Sequence, residues 1–245
     1  MAKLDLKKMK QKLVESKQRG KGGKFWKPKD GKQDIRIVPT EDGDPFKSFH
    51  FHYNVGETGF MCPKRNFGDE CPVCNFSYSL YREGDDESVK MAKDISAKQR
   101  FFSPVIVRGE EDGGVKIWGY SKTVYETLLG LILNPDFGDI TDTEEGVDLT
   151  LTYGKQAGAQ YPSTDITPRR KSSPLCGDDS DDCTELLDSV PNFEELYERV
   201  STEEVQAKLD GHLSVEEDNG ESPVLEPPAD SGASSVDDAF KDLAS

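Results

Sequence analysis

The chain has 245 residues, of which 34% are hydrophobic and 32% charged, with a formal net charge of -16 and a pI near 4.7. That apolar supply is thin for the length, and no stretch approaches the roughly 20 apolar residues of a membrane-spanning helix, so such a helix and one large uninterrupted core are not expected. One modest folded body with disordered ends is expected.

Charge is arranged in series. Residues 1–29 hold eleven Lys and Arg against two acids (Asp5, Glu15), whereas residues 175–245 hold 3 basic and 21 acidic residues. A basic arm, a near-neutral body and an acidic tail follow one another, so the low pI is no argument against a polyanionic partner. The division predicted is an N-terminal arm over 1–24, a folded core over 25–174 and a mostly disordered tail over 175–245.

In chain order, residues 1–19 read as a basic helix. Leu4, Leu6, Met9 and Leu13 lie near one face, and Gly20, Gly22 and Gly23 end it. Nothing in the first twelve residues resembles an apolar secretory segment, and a reducing cytoplasm is the expected compartment. Gln33 to Val38 predicts a strand ended by Pro39. Phe46 to Tyr53 alternates with period two, which puts His50 and His52 on one face. After a turn at Asn54 to Glu57, Thr58 to Cys62 returns as the second arm of a hairpin. Lys64, Arg65 and Phe67 fall on the loop that follows. Cys71 to Tyr81 predicts a helix.

Further strands are predicted over Gln99 to Val107, Val115 to Tyr120 and Val147 to Tyr153, with a helix over Thr123 to Leu133 ended by Asn134-Pro135. Short strands with turn signals and few helices predict a mainly β, α+β domain, with an OB-fold barrel the nearest common architecture. Beyond Ser172 the composition changes. Gly177 to Cys183 is acidic, Phe193 to Leu209 could form one short helix, and Glu216 to Ser235 has the Pro, Ser, Gly and acid content of a disordered segment. The last apolar-punctuated acids, Val236 to Leu243, suit a peptide that docks on another protein.

The cysteines carry the sharpest signal. Cys71-Pro72-Val73-Cys74, with Cys62 nine residues before and His50 and His52 before that, supplies the thiolates and imidazole of one tetrahedral zinc site. His50 and His52 both satisfy the spacing. The zinc subdomain spans about residues 50–82, and four protein ligands leave no open position, so one structural Zn2+ is expected rather than a catalytic one. A deaminase motif is missing too: His52 is followed by Tyr53-Asn54, and Glu70 rather than a proline precedes Cys71. Cys176 and Cys183 are expected to be free thiols in an acidic linker.

Basic and aromatic residues alternate through the body: Lys64, Arg65 and Phe67; Tyr78, Tyr81 and Arg82; Lys98, Arg100, Phe101 and Phe102; Lys116, Trp118, Tyr120 and Lys122. Cations that track phosphates, interleaved with rings that stack on unpaired bases, are what a single strand requires.

In this order of features the chain resembles the single-stranded-DNA-binding, helix-destabilising proteins of T4-like phages. The resemblance runs through Trp26-Lys27-Pro28-Lys29, Ile35-Arg36-Ile37-Val38-Pro39, Pro45-Phe46 seven residues before His52, Cys62 and Cys71-Pro72-Val73-Cys74, Arg100-Phe101-Phe102, and Lys116-Ile117-Trp118-Gly119-Tyr120. It implies an OB-fold core with a zinc subdomain whose ligands are His52, Cys62, Cys71 and Cys74. It implies cooperative, sequence-independent coating of single-stranded DNA, without enzymatic activity, in phage DNA replication, recombination and repair. Stacking aromatics would fall near Phe101 and Tyr120, with Phe102, Trp118, Phe67 and Tyr81 beside them. The basic arm, through Lys7, Lys8, Lys10 and Lys12, would mediate self-association along the strand. The acidic tail would contact replication and recombination proteins in the host cytoplasm. The reading that competes with it is a zinc-stapled RNA-binding or protein-interaction adaptor module.

Overall fold

The computed structural model describes residues 25–56, 58–159, 161–176, 180–193 and 196–218. The expected N-terminal helix, Lys7, Lys8, Lys10 and Lys12, and the last part of the acidic tail lie outside these residues. The chain divides into two compact units, one built on residues 1–46 and 102–191, the other on 47–101 and 192–245.

The first unit is a mixed sheet. Its strands are β1 (Phe25–Trp26), β2 (Gly31–Ile37), β5 (Lys98–Val107), β6 (Lys116–Tyr120), β7 (Val147–Gly154) and β8 (Ser163–Ser172), in the order β1-β6-β5-β2-β7-β8. β1 runs parallel to β6, while β2 is antiparallel to both β5 and β7. Helix α4 (Lys122–Ile132) follows β6, with Val124 and Leu128 buried at four-residue spacing. Helix α5 (Ser180–Asp188) follows β8.

Alternation explains the core of β2. Ile35 and Ile37 are buried on one face, and Arg36 between them points to the other, where it is equally buried. A guanidinium out of water needs a counter-charge. Asp148 of β7 supplies it: the carboxylate accepts from Arg36 Nε at 3.1 Å and from Arg108 Nη2 at 3.0 Å. Gly146, immediately before β7, lies so close to Arg36 Nη1 and the Asp142 carbonyl that a Cβ would collide with both. Glycine there is a requirement of close approach.

The second unit holds β3 (Lys47–His52), β4 (Phe60–Met61), the first residues of β5, and helices α1 (Pro63–Phe67), α2 (Pro72–Glu83), α3 (Asp86–Ile95) and α6 (Thr202–Asp218). α1 ends at Gly68, whose φ of 80° is left-handed and therefore suits glycine. α3 starts on Asp85, whose side chain accepts from Ser88 N at 2.8 Å. The core here is Val55, Phe60, Val73, Leu80, Ala92 and Ile95 around the three cysteines, closed by Val205 and Leu209 of α6.

Four expectations change. Lys64, Arg65 and Phe67 sit on a short helix, not a loop, because Cys62 caps it and Pro63 occupies its first position. β8 and α3 are additional elements. The tail expected from residue 175 is too long, since residues through Leu209 contribute buried side chains, spaced four apart on α6. Cys176 and Cys183 are not free thiols: they are joined in a disulfide that packs, with Leu186, Leu187 and Val190, on a core of Val38, Ile106, Val115 and Leu175. In a reducing compartment the pair would stand as two adjacent thiols on the same core. No described helix is long and apolar enough to cross a membrane.

Candidate metal centre and nucleic-acid face

Four donor atoms converge in the second unit. His52 ends β3, Cys62 is the N-cap of α1, Cys71 is the N-cap of α2, and Cys74 lies in the first turn of α2. All four residues are buried, and their donor atoms lie within 4.8 Å of one another. Cys62 Sγ is 3.4 Å from Cys74 Sγ, and His52 Nε2 is 3.5 Å from Cys71 Sγ and 3.6 Å from Cys74 Sγ. His52 Nδ1 is 2.7 Å from the Ile95 carbonyl oxygen. When Nδ1 donates to that oxygen, Nε2 is left as a lone pair aimed at the sulfurs, the tautomer a metal ligand needs.

His50 is outside the cluster. It shares a face with His52, but two residues along a strand are about 6.6 Å apart, more than the whole span of the donor set. Its main chain instead braces α1: the backbone N–H donates to Asn66 Oδ1 at 2.9 Å, and the carbonyl accepts from Cys62 N at 2.8 Å.

Electrostatics favour a negative charge at Cys62. Hydrogen bonds from Cys71, then Cys74, pull its thiol down to about 3, against the burial that would raise it. The backbone N–H groups of Arg65 and Lys64 help, as the start of a helix does for a thiolate. The same sharing holds Cys74 protonated, pushed up first by Cys62 and then by Cys71. Hydrogen bonds shared among the sulfurs thus favour the charge at Cys62 and the proton at Cys74. Four buried donor atoms this close together could hold a metal ion.

Beside this cluster, α1 and α2 form an exposed cationic and aromatic face. Phe67, Tyr78 and Tyr81 are 42%, 45% and 42% exposed, unusual for rings of this size in a folded unit. Lys64 Nζ lies 5.3 Å from the Tyr78 ring centroid, and Arg65 Nη2 donates to Tyr78 Oη at 3.0 Å. Tyr81 is one turn further along α2. Arg199 lays its guanidinium over Phe67, 4.4 Å from the ring centroid, and pairs with Asp69.

The remaining sequence-predicted residues scatter. Lys98 is exposed at the start of β5, and Arg100 is half-buried, 5.7 Å over the Tyr53 ring. Lys122 is exposed and 3.6 Å from Glu126 on α4. Phe101, Phe102, Trp118 and Tyr120, expected as stacking rings, are buried. Trp118 packs edge-on against Trp26 at 6.3 Å, Phe102 against Phe25 at 6.4 Å, and Tyr120 Oη shares a 2.7 Å hydrogen bond with Ser103 Oγ. The physical reason is economy of apolar surface: in a chain this polar, strand rings are the largest available filling for the core. Sequence reasoning missed Arg199, although it is one of only three basic residues in the acidic last 71. That isolation was the available signal.

A family model described as gp32 DNA binding protein like matches residues 29–211. No curated protein matches the chain.

Proposed function

The chain belongs to the gp32 DNA-binding-protein-like family, and on that premise we propose that it binds and coats single-stranded DNA without sequence preference and cooperatively, in phage DNA replication, recombination and repair. The observation that carries this reading is the contact of Lys64 and Arg65 with the exposed Tyr78 ring, with Phe67 and Tyr81 exposed on the same two helices. Lysine and arginine would neutralise phosphates while the rings take up unpaired bases, each stack contributing roughly 1–3 kcal/mol. Duplex DNA keeps its bases paired and offers the rings nothing. Binding to the single strand alone therefore draws the melting equilibrium toward it by mass action.

The proposed metal is one Zn2+ held by His52, Cys62, Cys71 and Cys74. Zinc bonds of about 2.3 Å to sulfur set tetrahedral edges of about 3.8 Å, which the short separations of this donor set suit. The ion would be structural: it fixes the starts of α1 and α2, and with them the spacing of Lys64, Arg65 and Phe67 from Tyr78 and Tyr81. The sheet of the first unit is proposed to be the OB-type part of the core. Lys98, Arg100 and Lys122 are proposed as further phosphate contacts. The basic arm, through Lys7, Lys8, Lys10 and Lys12, is assigned self-association along the strand, and the acidic tail the recruitment of replication and recombination proteins, in the cytoplasm of the host.

The test is a pair of variants, Phe67→Ala and Arg65→Ala, titrated against a fluorescent oligo(dT) by anisotropy. Phe67→Ala should weaken binding about 5- to 150-fold at fixed salt, the equivalent of one stack. Arg65→Ala should weaken it on every sequence alike and reduce the salt slope by about 0.7. Unchanged affinity in both folded variants would remove this face from the reading.

A further inference from the structure

A second cationic feature lies in the first unit, on β8, an edge strand of the sheet. Its pairing with β7 is broken at one place. Leu149 stands opposite Pro168 and Val147 opposite Ser172, so Asp148 alone faces Arg169, Arg170 and Lys171. Three consecutive basic residues occupy the width of one. Such a bulge lifts side chains off the ladder and re-aims them.

The bulge borders a groove of about 380 Å³ lined by Asp148, Arg169, Arg170, Lys171, Ser172 and Ser173. Asp148 would repel an anion there, but its carboxylate is already engaged by Arg36, Arg108 and the Ser173 hydroxyl. Arg169 pairs with Asp34 at 3.1 Å. Among the described residues Arg170 and Lys171 have no acidic partner, and both are exposed. No acid occurs between Asp165 and Asp178 in a chain with 47 of them. Edge strands are guarded against pairing by charges, proline and bulges, and β8 has all three; the groove and the neutralised carboxylate beneath it go beyond that role.

We infer that the β8 bulge is a phosphodiester-binding site, with Arg170 and Lys171 as its cations. The ligand is the backbone of the single strand, so the inference rests on the proposed function. The site reads charge and not base identity, since no exposed ring borders it among its lining residues.

The experiment compares the full chain with the double variant Arg170→Ala/Lys171→Ala on oligo(dT) across a salt series. The expected result is a slope of log affinity against log salt shallower by about 1.4, two single-strand phosphates' worth. Arg170→Lys should keep the wild-type slope. Near-ultraviolet circular dichroism checks that the variant is folded. Independently, acylation of Lys171 in the unsubstituted chain should be suppressed by oligo(dT). A folded double variant with the wild-type slope would overturn the inference and leave the proposed function standing. Lys171 already shielded without DNA and unmoved by it would also overturn it, giving the groove to an acidic peptide segment. If the unsubstituted chain binds no single strand at all, the proposed function itself falls.

Discussion

Leu209→Ala isolates the finding that the sequence reading least anticipated, the packing of α6 into the metal-centred core. Leu209 is 4% exposed and belongs to the same cluster as Val55, Phe60, Leu80 and the three cysteines. Truncation to alanine removes three carbons from that core, a transfer loss of about 2.4 kcal/mol at about 0.8 per carbon. The cavity left behind adds to it, and buried Leu→Ala changes span about 2–5 kcal/mol overall. Because α6 is a late, surface-facing element able to close over the gap, the low end applies, about 2.5–3 kcal/mol. The assay is urea unfolding of the metal-loaded chain, followed by capture of released metal with a chromogenic chelator. With a slope of about 1–3 kcal/mol per molar urea, the release midpoint should fall by about 1 M or more. Glu203→Gln, on the exposed face of the same helix, should leave it unchanged. A Leu209→Ala midpoint equal to wild type would refute the placement of α6 and return these residues to the tail.

Chelation of the metal, or His52→Ala, should cost the second unit its stability, since structural zinc sites in small domains contribute on the order of 10–16 kcal/mol; circular dichroism should show loss of helix, and an unchanged helical signal would contradict a structural ion. Asp148→Asn should leave the buried Arg36 guanidinium without its counter-charge, at a cost of about 3–5 kcal/mol. That is a fall of more than about 10 °C in the thermal midpoint, and a shift under 2 °C, on the order of half a kcal/mol, would count against the ion pair. Burial pushes the Tyr53 phenol up from 10.0 to about 12, and it also raises Tyr120 and Tyr197. The sign follows from linkage. Below pH 10 both folded and unfolded states keep the proton and the contribution is fully present. Above it the unfolded state ionises first, so stability falls by about 3 kcal/mol per such tyrosine as pH approaches 12. Ultraviolet titration should show Tyr53, Tyr120 and Tyr197 as a late group ionising only with unfolding; a single early transition would contradict the burial.

The metal set was legible because ligand chemistry fixes both residue type and spacing: three cysteines and a histidine within 23 residues leave few alternatives. The choice of His52 over His50 was not settled by alternation, which puts both on one face; strand rise settles it in three dimensions. Strands with clear period two, such as Phe46 to Tyr53, came through nearly residue for residue. β8 did not, because Ser163 to Ser172 buries no residue fully, with only Thr164, Ile166 and Pro168 half-buried on one face, and its reason for being a strand is its partner β7. The nucleic-acid residues divided along the same line. Phe67, Tyr78 and Tyr81 on helices α1 and α2 are exposed, whereas rings on β5 and β6 are core, and composition alone does not distinguish a stacking ring from a packing one. The sequence allows one short helix over Phe193 to Leu209 in the acidic tail but does not show its docking, for which two residues four apart, Val205 and Leu209, suffice.

The central claim is selectivity for the unpaired strand, and its most direct measurement is anisotropy of a labelled oligo(dT) titrated with the full chain, competed in parallel by unlabelled single-stranded DNA, duplex DNA and single-stranded RNA at low and moderate salt. The account predicts tight, salt-weakened binding that single-stranded DNA competes away and duplex does not. Equal competition by duplex, preference for RNA, or no binding that responds to salt would contradict it.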